Sequence, residues 1–319
     1  MVKMKKLRIA VIGAGFWGKN HIRVLSELQQ AELVAVCDVN KQRATAIAEK
    51  YGIKPYTSSR ELYKKESFDA VSICVWSTEL FKESMEALNA GKHVFVEKPM
   101  ASRVEEAEKM LETAESAGLH LTVGFIERFN PAVVRLKKAI DEGEIGQSVS
   151  ATGKRVSKWP ERIGDVGVVK DTAIHDIDLM RYIFEEDPVS VYARAGSLRH
   201  RRFEDYAQVM LAFPSGKSAF LEANWLTPYK VRRLTVTGSE AIITIDYITQ
   251  KITIETSNKT LIPRYEWKEP LKLELQHFVE SVLNKNNLIV TGLDGVKALK
   301  IAEAILESAE KNRLIELSL

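Results

Sequence analysis

The sequence predicts two domains of different class: a doubly wound α/β domain over residues 1–123, then an α+β domain with an open, mainly antiparallel sheet over residues 124–319. Three observations predict this. In the first third, short apolar, β-branched runs alternate with amphipathic helical patterns, as parallel strands covered on both faces require. The second half carries a succession of strand-like runs joined by tight-turn sequences such as P-S-G-K (214–217) and T-G-S-E (237–240). A glycine-rich turn separates the first strand from the first helix, where doubly wound sheets take nucleotides.

Each element follows in order. L-R-I-A-V-I-G (7–13) reads as a strand and 19–28 as a helix; E-L-V-A-V-C-D (32–38) and the helical 41–51 repeat the unit. D-A-V-S-I-C-V (69–75) precedes a helix at 79–90 closed by Gly91, and H-V-F-V-E (93–97) precedes a helix at 103–117 closed by Gly118. The strand 120–125 ends the first domain. Beyond it come a helix at 131–141, a strand at 147–156 and a helix at about 171–184. Strands near 189–196, 205–213, 217–225, 231–237, 241–247 and 251–256 precede two closing helices, about 271–284 and 294–311.

Composition narrows the function. The 319 residues are 45% apolar and 28% charged, ordinary for a soluble globular chain. With 46 basic against 43 acidic residues and no basic block, nucleic-acid binding has no electrostatic support. No segment approaches the ~18 consecutive apolar residues of a membrane span. Arg8 interrupts the early apolar run, which therefore does not read as a signal peptide. Cys37 and Cys74 lie inside strand-like runs with no pairing motif, as expected of a cytoplasmic protein.

G-A-G-F-W-G (13–18) follows a strand, opens a helix, and has Asp38 at the end of the next strand, 20 residues after Gly18. That context makes it a dinucleotide site. Gly13 permits the tight turn, Gly15 lets backbone approach a pyrophosphate, and Gly18 lets the helix pack closely on the strand. Asp38 accepts from ribose hydroxyls and repels a 2′-phosphate, which favours NAD over NADP; Arg43 nearby is the feature that favours NADP. FAD uses the same fingerprint. Phe16 and Trp17 either cover the cofactor or pack.

V-E-K-P-M (96–100) places Lys98 at a strand's C-terminal end, where its amine can be tuned for acid–base work, with Glu97 and Pro99 as its positioning groups. In D-T-A-I-H-D-I-D, Asp171 and His175 share a helix face, and their imidazole and carboxylate can accept a hydroxyl proton. Asp178, at i+3 from His175, is an alternative orienter. H-D-I-D alone does not make a metal site, and none is expected. His21, His93, His120, His200 and His277 read as structural.

G-A-G-F-W-G-K-N-H, A-G-K-H-V-F-V-E-K-P-M, G-F-I-E-R-F-N-P-A and D-T-A-I-H-D-I-D-L, in that order, resemble the glucose-fructose oxidoreductase / inositol dehydrogenase / rhizopine-catabolism (Gfo/Idh/MocA) family over essentially the whole length. The resemblance implies a Rossmann domain, NAD(P), hydride transfer at a sugar or cyclitol carbinol carbon, and a homo-oligomer (dimer or tetramer) through the open sheet. It implies that Lys98 hydrogen-bonds the reacting hydroxyl, His175 takes its proton, and Asp171 tunes the site. The chain departs from the family at C-V-W-S-T-E-L-F (74–81), where Trp76 and Ser77 replace the first two residues of its usual T-P-N and Phe81 falls where a histidine is expected; Trp76, Ser77 and Thr78 are still expected beside the cofactor, with Glu97 and Lys98.

The segment 155–171, with G-F-I-E-R-F-N-P-A, resembles the family's UDP-N-acetylglucosamine 3-dehydrogenases. That resemblance implies oxidation of the sugar 3-hydroxyl. Lys154, Arg155, Lys158 and Arg162 offer cations for a diphosphate and Trp159 a stacking face. Arg128 and Asn130 either touch substrate or nicotinamide, or cap the helix that follows, ahead of Pro131. The alternatives are the same chemistry on inositol or a free sugar, and a non-catalytic dinucleotide-sensing regulator.

Overall fold

The alternation in the first 125 residues resolves into a six-stranded parallel sheet in the computed structural model, which describes residues 5–160 and 165–319. In chain order the elements are β1 (Leu7–Ile12), α1 (Phe16–Glu27), β2 (Ala31–Cys37), α2 (Lys41–Tyr51), β3 (Lys54–Tyr56), α3 (Ser59–Lys65), β4 (Ala70–Ile73), α4 (Ser77–Asn89), β5 (His93–Val96), α5 (Val104–Ser116) and β6 (Leu121–Val123). The sheet order β3-β2-β1-β4-β5-β6 puts β1 between β2 and β4, so strand order reverses there. At that switch point the C-terminal ends of neighbouring strands diverge and leave room for a ligand. Ile9, Val11, Val71 and Phe95 are fully buried, as strands covered on both faces must be. Asn40 caps α2 by accepting the Arg43 N–H, and Gly52, at φ 66°, closes it.

The pattern missed β3 and α3. Lys54–Tyr56 has a proline and no apolar run, and it survives as a strand because it lies at the sheet edge. The described chain divides into two units, Met1–Phe125 with Leu271–Val296 and Ile126–Pro270 with Lys297–Leu319. Residues 271–296 therefore fold with the first unit, whereas the sequence pattern places everything after 123 in the second. Local pattern carries no record of this return. Phe278 sets its ring against Phe95 at 5.7 Å, and Thr122 Oγ1 donates to the Val290 carbonyl at 2.7 Å.

The second unit contains α6 (Pro131–Asp141), β7 (Ser148–Val156), α7 (Ile174–Phe184), β8 (Ser190–Gly196), β9 (Tyr206–Ala212), β10 (Ser218–Asn224), β11 (Val231–Gly238), β12 (Ala241–Asp246), β13 (Ile252–Thr256) and β14 (Thr260–Leu261); after them come α8 (Pro270–Asn284), which folds with the first unit from Leu271 on, then α9 (Gly292–Lys311) and β15 (Ile315–Glu316). The sheet has nine strands in the order β14-β13-β12-β11-β7-β10-β9-β8-β15. β9–β10 and β11–β12 are antiparallel hairpins at the two turn sequences, while β7 inserts between them and runs parallel to β10. One face is buried with period two, and α6 and α7 lie against it. No helix among the described residues is long and apolar enough to cross a membrane.

Candidate active site

The glycine-rich turn is fixed by steric necessity. Gly13 has φ +90°, and a Cβ there would lie 2.5 Å from the Cys74 carbonyl oxygen; a Cβ on Gly18 would lie 1.8 Å from the Gly13 oxygen. The strand–turn–helix crossing is thus too close for any side chain at either position. Gly15 is different, because a Cβ there meets nothing within 4 Å. It is the N-cap of α1, and no side chain caps that helix end. Backbone N–H groups and the helix dipole there suit a pyrophosphate, so the open space at Gly15 fits a dinucleotide. Phe16 is 75% exposed beside the turn, whereas Trp17 sets its edge toward His21 at 6.5 Å.

Asp38 stands just after β2, as expected, and also braces the turn: Oδ2 accepts the Ala14 N–H at 2.8 Å and Oδ1 the Asn40 N–H at 2.8 Å. Arg43 pairs with it at 3.1 Å. Arg43 Nη1 also reaches Oδ1 at 3.3 Å, so the roughly four acceptor positions of this carboxylate all have protein donors, and a ribose hydroxyl would share or displace one of them. The guanidinium that would favour a 2′-phosphate is already paired with Asp38.

β4 and β5 deliver the remaining groups. Trp76, 60% exposed, is the N-cap of α4, and Ser77 and Thr78 form its first turn. Lys98 follows β5 half-buried, and the Lys98–Pro99 peptide is cis. Glu97 is buried: Oε1 accepts from His21 Nε2 at 3.0 Å, and Oε2 accepts the Lys98 backbone N–H at 3.3 Å. Glu97 thus has a structural role, each of its carboxylate oxygens having a protein partner. His21 is fully buried, with Nδ1 also 2.8 Å from Ser72 Oγ. Burial works against a charged ring, yet Cys74 and the Glu97 carboxylate hold the imidazole well above the usual histidine range.

In the second unit, the helix expected from about 171 begins earlier and differently. Val169–Ala173 form a π-helical turn that runs into α7, an insertion found often at functional sites. The Glu204 carboxylate accepts the Val169 N–H at 3.0 Å and its carbonyl accepts the Val168 N–H at 3.0 Å, bracing the entry to this helix. Asp171 is buried on the π turn, and its Oδ2 accepts from Thr172 Oγ1 at 3.1 Å. Thr172 in turn accepts the Trp225 indole N–H at 3.0 Å. His175, half-buried, lies in the first turn of α7. No local sequence signal points to Glu204, Thr172 or Trp225, since Glu204 and Trp225 lie in segments of their own and nothing marks Thr172 beside Asp171.

Several expected substrate contacts are occupied by protein. Arg155 is 1% exposed and pairs with Asp176 (Nε–Oδ1 2.9 Å) and Glu127 (Nη1–Oε1 3.0 Å), so it is not a diphosphate cation. Lys154 pairs with Glu222 across the β7–β10 ladder at 2.8 Å. Arg128 forms a buried two-point bridge to Asp178, at 2.8 and 2.6 Å, so its charge is matched by a carboxylate of the protein. Asn130, 1% exposed, caps α6 through the Ala132 N–H, and its amide donates to Glu127 and to the Tyr247 carbonyl. Trp159 packs edge-to-face on Trp225 at 6.0 Å. Lys158 is exposed, and Arg162 lies outside the described residues.

A doubly wound sheet whose first turn is shaped for a dinucleotide defines the class: an NAD-binding oxidoreductase. Residues 7–125 match the description "Oxidoreductase family, NAD-binding Rossmann fold" and residues 133–244 match the Gfo/Idh/MocA C-terminal domain. The chain belongs to the Gfo/Idh/MocA family. It is 31% identical to the scyllo-inositol 2-dehydrogenase (NAD(+)) of Bacillus subtilis, across 98% of this chain and 96% of that one. In structure it is similar to the myo-inositol 2-dehydrogenase of Lactobacillus plantarum (TM-score 0.86, 26% identity, 98% and 100% of the two chains). It shares its fold with the UDP-N-acetylglucosamine 3-dehydrogenase of Acidithiobacillus ferrooxidans (TM-score 0.88, 24% identity, 97% and 99%).

Proposed function

We propose that this protein is an NAD-dependent dehydrogenase that oxidises a ring hydroxyl of an inositol or free sugar. The observation that supports a substrate without a nucleotide is that Arg155, Lys154 and Arg128 already have carboxylate partners, leaving no ready cradle of these cations for a diphosphate. Relatives named as inositol dehydrogenases, matched over nearly their whole length, point the same way. NAD rather than NADP is favoured by Asp38 with Arg43 held against it.

In this reading bound NAD supplies the hydride acceptor. Lys98 hydrogen-bonds the reacting hydroxyl and His175 removes its proton, while Asp171, steadied by Thr172, orients and stabilises the imidazolium. The exposed sheet face supports a homo-oligomer: Tyr192, Met210 and Phe220 are 40%, 44% and 46% exposed and stand opposite one another in register. Light scattering that returns a monomer would refute that part.

The experiment is an NADH-formation screen of inositols and free hexoses against UDP-N-acetylglucosamine. Turnover with an inositol or free sugar is expected. Turnover confined to the UDP-sugar would favour the nucleotide-sugar reading, and none with any polyol or sugar would favour a sensor. Lys98→Ala and His175→Ala are each expected to cost about 100-fold or more in turnover, the scale of general acid–base catalysis.

A further inference from the structure

A fully buried polar chain lies behind Lys98. Ser72 on β4 pairs in register with Phe95 on β5, so Ser72, Phe95 and Glu97 face the same side of the sheet, toward α1. His21, in the second turn of α1, meets all three: Ser72 Oγ at 2.8 Å, Glu97 Oε1 at 3.0 Å, and the Phe95 ring edge-on at 5.3 Å. Glu97 spends its other oxygen on the Lys98 backbone N–H. Gly124, beside β5, leaves just enough room, since a Cβ there would lie 2.9 Å from Glu97 Oε1.

We propose that His21 is a positioning residue for the reaction: through Glu97 it ties the point where Lys98 leaves β5 to the helix whose first turn receives the pyrophosphate. Two of the parts the chemistry must hold in register, the dinucleotide-binding helix and the lysine, are thereby joined by one buried strut. A histidine kept only for packing would need neither nitrogen bonded to a group that reaches the lysine. A displacement of about 1 Å at a reacting group can cost about 100-fold in rate, so such a strut has kinetic consequences. The inference rests on Lys98 acting on the substrate hydroxyl.

The test compares His21→Phe, which keeps a ring of similar size but no donor, with His21→Gln, whose amide can still donate to Glu97. Gly124→Ala crowds the same carboxylate without touching His21. Expected are a fall in kcat of about 10-fold or more in His21→Phe and Gly124→Ala, KM values for NAD and substrate within about 3-fold of the parent, and recovery in His21→Gln to within about 3-fold. In cofactor-free enzyme, the rate of amine labelling at Lys98, read by mass spectrometry, should change several-fold in His21→Phe and stay near the parent in His21→Gln. Unchanged kcat and labelling per folded molecule in His21→Phe, with only a lower melting temperature, would overturn the proposal. If His21→Phe does not fold, Gly124→Ala decides by the same kcat and labelling criteria. Lys98→Ala runs alongside: full activity there would overturn the role of the lysine itself, a failure separable from that of the strut.

Discussion

Replacing Arg155 by methionine distinguishes a cation kept for substrate from one that holds the fold. The side chain is 1% exposed between Asp176 and Glu127, themselves 1% and 6% exposed, and its guanidinium lies 4.4 Å from the Tyr247 ring centre. Tyr247 also donates its hydroxyl to Asp176 Oδ1 at 3.0 Å. Arg155→Met fills most of the volume but leaves two buried carboxylates facing each other. Removing one partner of a buried pair costs about 3–5 kcal/mol, a large share of a typical 5–15 kcal/mol stability. Arg232, 4.0 Å from Glu127 Oε1, offsets only part of that. The expected fall in melting temperature is about 6–20 °C. Burial already raises the Asp176 carboxyl against the pull of Arg155, so the defect should be largest at neutral pH and shrink as pH falls and Asp176 protonates. Adding Glu127→Gln and Asp176→Asn should restore much of the loss, because no bare buried charge then remains. The assay is denaturant unfolding followed by tryptophan fluorescence. A variant within about 1 kcal/mol of the parent would refute the structural assignment, decisively if it also lost affinity for a UDP-sugar.

Two further outcomes follow from the same geometry. Gly15→Ala should melt like the parent yet lose at least about tenfold in NAD affinity, since its Cβ points into open space suited to a pyrophosphate; Gly18→Ala should lose both stability and affinity. Calorimetric titration with NAD checks this, and equal affinity in all three proteins would refute it. His93, His120 and His277 are held below the ordinary histidine value, chiefly by burial, and the rings of His93 and His277 accept backbone N–H groups from His120 (2.9 Å) and Ile289 (3.0 Å). Their protonation therefore favours the unfolded chain. Stability should be complete above about pH 6.5 and fall as pH drops below it, by at most about 1.4 kcal/mol per histidine per pH unit. His21, raised rather than lowered, acts with the opposite sign and only above that window. Unfolding free energy unchanged between about pH 7 and pH 5 would contradict this.

The sequence by itself determined what is local. Apolar periodicity located most helices and most strands, because burial of one helix face or both strand faces acts within a few residues. The glycine turn was legible for the same reason, its strand, glycines, helix and acid lying within 32 residues of one another, from Leu7 to Asp38. Lys98, Asp171 and His175 stood out through their motifs. Only the tertiary structure decided which charges were available. Arg155 meets Glu127 28 residues away, Arg128 meets Asp178 at 50, His21 meets Glu97 at 76, and Asn130 meets the Tyr247 carbonyl at 117. A buried charge must find a partner or not be buried, and that partner is set by which strands lie side by side, not by neighbours in sequence. Cations that looked ready for a phosphate were thus matched by acids, while a histidine that looked merely structural proved to hold the glutamate behind the lysine.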